Sequence, residues 1–189
     1  MPTLVAVADN MKNTVKITVC GTISALAVVL MLGTNIPIML YTVPALVGIL
    51  FIVPAFELNL KWAFMCFSVT SVLSIVLPTE REALIMFIGL LGYYPVLKIL
   101  IEHLKIRILG ILIKFLTFNI AVSVCFYLTF KILGLNIFQN NRFEVGVSVI
   151  IVYIIGNIAF AIFDLALTGI FNIYFSRFRK PIRKALRLK

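Results

Sequence analysis

The sequence predicts an all-α polytopic membrane protein of six transmembrane helices with both termini in the cytoplasm. Three observations carry that expectation. Of 189 residues, 62% are hydrophobic and 13% charged, with a mean hydropathy of +1.15, a balance that would aggregate outside a bilayer. The apolar blocks are apolar on all sides rather than striped, and each is about 17 to 25 residues long, enough to cross the hydrocarbon layer as helix. Finally, the seventeen Lys and Arg residues divide unevenly between the two sides of a six-helix arrangement, and cytoplasmic loops are the ones that retain basic residues.

The first span covers residues 17–36 and ends in the turn-forming cluster Gly33, Thr34, Asn35 and Pro37. Lys12 and Lys16 ahead of it resemble the start of a signal peptide, but the apolar run continues without a clear small-residue cleavage site, so it is taken as a span. The second, residues 40–56, is interrupted by Pro44 and Pro54, and Pro44 and Gly48 near its start predict a kink or an irregular entry, because proline lacks the backbone donor. Glu57, Asn59 and Lys61 close it. The third, residues 62–77, carries Ser68, Thr70, Ser71 and Ser74 and stops at Pro78. The fourth, residues 83–101, passes through Gly89, Gly92, Tyr93, Tyr94 and Pro95, and the charged stretch 102–107 follows as a cytoplasmic hairpin. Residues 108–133 form the fifth span, residues 136–142 a polar loop, and residues 145–174 a long sixth. Residues 175–189 form a basic cytoplasmic tail. The whole is one transmembrane domain with no sizeable extramembrane part, so a soluble catalytic module would have to come from a partner.

With six spans the two termini share a side. That side collects Lys12, Lys16, Lys61, Lys98, Lys105, Arg107, Lys114 and seven tail residues, fourteen in all, against Arg81, Lys131 and Arg142 opposite. The rule assigns the rich side to the cytoplasm of a cell membrane. In the tail, charges alternate with Phe178, Ile182, Leu186 and Leu188, a pattern suited to anionic lipid headgroups. Nucleic acid is not an expected partner for a tail tethered to a membrane.

No enzyme signature is present. His103 is the single histidine, and Cys20, Cys66 and Cys125 lack metal or redox spacing and fit small packing positions. No nucleophile motif, zinc-protease motif or phosphate loop occurs, so no catalytic residue, metal site or cofactor is expected. Polar groups inside lipid are costly and therefore informative. Asn119 and Asn157 fall near mid-depth; they either bond each other or line a ligand cavity with Ser123, Tyr127 and Tyr153 on the outer side and Tyr93 opposite. Lys114 and Asp164 reach similar depth on antiparallel helices and are expected to form a structural ion pair. Gly21 and Ala25 stand four apart on one face of the first span beside Ser24, a small-residue face that packs helices within one bundle or between proteins.

The chain resembles the substrate-binding S components of energy-coupling factor transporters. The resemblance is carried by Gly21-x-x-x-Ala25, by the proline-containing stretch from Pro37 to Pro54, and by a closing helix with Asp164 and Gly169 before the basic tail. It implies a bacterial S-component-like bundle in which Gly21 and Ala25 meet a transmembrane coupling subunit driven by cytoplasmic ATPases. The ligand would sit near the outer face, and the largely uncharged loops there suit a neutral or apolar small molecule. Two other readings stay open: a membrane scaffold or assembly factor without substrate, and a lipid-handling, flippase-like protein with a lipid-open groove beside Pro44 and Gly48.

Overall fold

The computed structural model describes residues 13–103, 107–133 and 142–185; Lys12, Lys105 and most of the polar loop at 136–142 lie outside them. The chain divides into two compact units, Met1–Lys105 and Ile106–Lys189. Among the described residues every regular element is a helix.

The first unit holds α1 (Asn13–Leu32), α2 (Thr42–Leu50), α3 (Ile52–Glu57), α4 (Leu60–Val76), α5 (Arg81–Met86) and α6 (Tyr94–Glu102). Along α1 the buried positions Lys16, Cys20, Ser24, Ala27, Val28 and Met31 recur at helical spacing, and α4 buries Ala63, Cys66, Thr70, Ser71 and Ser74 in the same way. These two faces meet. Small side chains on both allow close backbone approach, the usual driving geometry for helices in lipid, where apolar burial gives little preference for neighbour over solvent.

The cross-links between α1 and α4 fix their direction. Cys20 Sγ reaches Trp62 O at 3.8 Å and Ser24 Oγ donates to Cys66 O at 3.5 Å. At the other end Asn35 Nδ2 donates to Pro78 O at 3.0 Å, and the Glu80 N–H to Thr34 Oγ1 at 3.4 Å. Early residues pair with early and late with late, so α1 and α4 are parallel. The segment between them, Thr42–Glu57, must therefore return across the unit, and the chain crosses it four times up to Glu102.

Proline shapes two of those crossings. Pro54 has no N–H to give the Leu50 carbonyl, and the helix breaks there into α2 and α3, with Phe51 N–H bonded to Gly48 O instead. Pro95 likewise leaves the Leu91 carbonyl without its helical donor. A π turn, Phe87–Leu91, precedes it, with Gly92 N–H bonded to Phe87 O at 2.8 Å. The released Leu91 carbonyl lies directly against Gly48, where a Cβ would collide with it. Gly92 has as little room: a Cβ would sit 2.6 Å from the Phe87 ring and 2.7 Å from the Phe67 ring. Around these glycines Phe51, Phe67, Phe87 and Tyr93 pack edge-on or tilted, with ring centroids 5.6–6.5 Å apart.

Among the described residues four helical stretches are long and apolar enough to cross a membrane, Asn13–Asn35, Arg81–Glu102, Ile108–Leu128 and Ile150–Ile182, rather than the six expected. The apolar stretches Thr42–Glu57 and Leu60–Val76 are shorter. The first is bounded by the turn Pro37–Met39 and by Leu58, and the second starts at the Asn59 cap, whose Oδ1 accepts the Leu60 N–H at 2.8 Å. At about 1.5 Å per residue α4 spans roughly 26 Å, just under the hydrocarbon thickness.

The second unit is built on α7 (Arg107–Leu133) and α8 (Arg142–Ile173), which run antiparallel. A π turn, Tyr174–Phe178, carries α8 on into α9 (Arg179–Ala185). The segment expected to be a tail from residue 175 is thus helix as far as Ala185, with Arg179 lying over the Phe175 ring at 5.3 Å. One side of α8 presents Ile150, Ile154, Ile158, Ile162 and Leu165, each more than half exposed, a continuous apolar stripe suited to lipid.

Candidate functional site

Two regions hold the residues singled out by the sequence. On α1, Gly21 and Ala25 are exposed at the edge of the face that buries Cys20, Ser24 and Val28. A Cβ added at Gly21 would meet nothing within 4 Å, in contrast to Gly48 and Gly92. Gly21 is therefore not small to accommodate another helix of its own unit. It borders a groove of about 230 Å³ between α1 and α4, lined by Ile17, Gly21, Trp62, Met65 and Val69 with Cys20, Ser24 and Cys66 at its floor. The lining is almost wholly apolar, and Ile17 and Met65 on its rim are more than half exposed. Pro44 and Gly48, in contrast, are buried, and Gly48 is covered by the Leu91 carbonyl and the Pro95 ring. The lipid-open groove expected beside them is filled by that close approach.

In the second unit, the facing sides of α7 and α8 carry a ladder of paired groups. Lys114 Nζ lies 3.0 Å from Asp164 Oδ2, with both side chains largely buried. One turn along, Phe118 stacks on Phe160 at 4.4 Å, and Gly156 gives the Phe118 ring room at 3.5 Å. Next, Asn119 and Asn157 bond reciprocally, Nδ2 to Oδ1 at 3.0 and 3.1 Å. Each amide gives its second N–H to a backbone carbonyl one turn back, Asn119 to Phe115 O and Asn157 to Tyr153 O, both at 2.8 Å. All four amide protons are used inside the protein. Ser123 Oγ donates to Asn119 O at 2.7 Å, so its 2.7 Å contact with Tyr153 Oη must take the phenol as donor, since a hydroxyl has one proton. The direction of the chain is then fixed, from Tyr153 through Ser123 to the Asn119 carbonyl, and the Tyr153 oxygen keeps acceptor capacity.

Of the residues expected around a ligand, Asn119, Ser123, Tyr153 and Asn157 share this ladder. Tyr127 is 65% exposed one turn beyond Ser123 on α7. Tyr93 belongs to the first unit, in the aromatic cluster beside Phe67. His103 caps the last turn of α6 through its contact with the Ile99 carbonyl. Among the described residues no group of three His, Cys, Asp or Glu side chains is placed to hold a metal ion.

Two charged residues matter more than their sequence positions suggest. Lys98, counted above among the basic residues of the cytoplasmic side, is wholly buried on α6, with Glu102 one turn on at 3.1 Å, and Glu57 at the end of α3 is 4% exposed. The signal for Lys98 is its spacing: Tyr94, Lys98 and Ile101 fall on one buried helical face. Comparison of the chain with protein-family models, with curated proteins and with solved structures finds no match.

Proposed function

We propose that this protein is the membrane-embedded, substrate-binding subunit of a small-molecule uptake transporter, similar to an S component, and that it depends on a coupling subunit and ATPases for movement. The observation that carries the proposal is the vacant small-residue face of α1. Among the described residues no helix of the same unit covers Gly21, which borders an apolar groove, and Ala25 is exposed one turn on, the geometry a partner helix needs for close approach in lipid. The parallel run of α1 and α4 supports six crossings, four in the first unit and two in the second, even though two of the segments are short. Six crossings with fourteen basic residues on one side favour a cytoplasmic location for both termini.

In this reading the protein performs no covalent chemistry and is not an enzyme. A ligand held at the outer end of the second unit, against Tyr127 and the Tyr153 oxygen, binds one conformation better than the other and so shifts the population between outward-open and closed states. Asn119 and Asn157 hold the helices that carry these groups in register. The basic helical end, with Arg177, Lys180 and Lys184, rests on anionic lipid headgroups. A scaffold or assembly factor without substrate is the second reading. It is favoured by the saturation of both asparagine amides, which leaves them no proton to offer a ligand. Isolation in mild detergent followed by native mass spectrometry separates the two. A coupling subunit with ATPases, or a bound metabolite, supports the transporter; absence of both refutes it.

A further inference from the structure

The first unit contains a second chemical feature, in the floor of the α1–α4 groove. Cys20 and Cys66 are both buried free thiols on the facing sides of the two parallel helices. Cys20 Sγ reaches Trp62 O and Cys66 Sγ reaches the backbone oxygen of Cys20 itself, each at 3.8 Å, and both cysteines line the same groove. Ser24 Oγ holds the Cys66 carbonyl at 3.5 Å, so the register of the pair is fixed from both sides. Trp62 and Met65 wall the groove above them, and the vacant face at Gly21 leaves it open on one side.

We propose that Cys20 and Cys66 are a disulfide-forming pair that staples α1 to α4. Two S–H bonds break and one S–S bond forms; two electrons and two protons pass to a lipid-permeant two-electron acceptor, a fully substituted quinone in kind, which leaves as the quinol. The product is neutral and fits an apolar groove, whereas two thiolates around a metal ion would bring charge into it. The staple lies directly beneath Gly21. Its effect on partner capture rests on the function proposed above; the bond itself does not.

The test uses the full-length protein in lipid nanodiscs, with diamide as the two-electron acceptor. After oxidation the chain is denatured, free thiols are alkylated and the digest is mapped by mass spectrometry. The expected result is a peptide pair joining Cys20 to Cys66 within one chain, Cys125 alone alkylated, and the same link in Cys125→Ser. Full alkylation of Cys20 and Cys66, or links confined to Cys125 or to separate copies of the chain, would overturn the proposal. A mapped link that leaves capture of the coupling subunit unchanged would keep the pair and remove only its effect on docking.

Discussion

The two units hold their helices together by different means. In the first, several crossings pack on small and aromatic residues, and glycine is placed where one backbone must touch another, as Gly48 does against the Leu91 carbonyl. In the second, two long helices face each other through discrete pairs: Lys114 with Asp164, Asn119 with Asn157, Ser123 with Tyr153. A bundle of several helices specifies its arrangement by shape, because each helix is constrained from more than one side. A hairpin can slide, and paired polar groups at intervals fix its register, since a shift would leave each of them unpaired in lipid.

That contrast can be broken at either end. Asp164→Asn or Lys114→Met should each cost on the order of 3 kcal/mol by breaking the largely buried ion pair, while Lys114→Met with Asp164→Leu recovers most of the loss. Thermal unfolding in detergent checks it, and additive losses would mean that the two do not act as a pair. Gly48→Ala should cost about 2 kcal/mol, because the new methyl meets backbone that cannot turn aside. The same change at Gly21 meets open space and should leave stability unchanged or slightly higher. Asn119→Ala should cost about 1 kcal/mol, typical of an interhelical hydrogen bond in lipid, and Asn157→Ala should add little to it. The smallest effect is expected at Thr70. Its hydroxyl and that of Ser74 are buried without a hydrogen-bond partner. Thr70→Val keeps the shape, removes one orphaned group and should therefore be neutral or stabilising. A loss of more than about 1 kcal/mol would mean that the hydroxyl has a partner.

How much of this was legible in the sequence depends on whether neighbours in space are neighbours along the chain. The helices of the second unit are consecutive, so depth alone sets Lys114 beside Asp164 and Asn119 beside Asn157. An irregularity in the second apolar segment was legible from its prolines, but it was expected near Pro44 and Gly48, and the helix breaks at Phe51, ahead of Pro54. Cys20 and Cys66 were not recognisable as a pair. Their meeting depends on α1 and α4 lying parallel and in contact although a whole crossing separates them, and no spacing encodes that. Lys98 was read only as a cation near the cytoplasmic end of the fourth span; the buried face it shares with Tyr94 and Ile101 sets it apart. Gly21 and Gly48 look alike in sequence. One faces open space and the other a carbonyl, and that difference directs the functional reading to α1.

The most direct measurement replaces both small residues of that face, Gly21→Leu with Ala25→Leu, and follows folded yield and capture of the coupling subunit together. The account expects a fully folded protein that no longer captures its partner, since neither position packs inside its own unit. A variant that captures the partner as well as the parent chain would contradict it, and so would one that fails to fold.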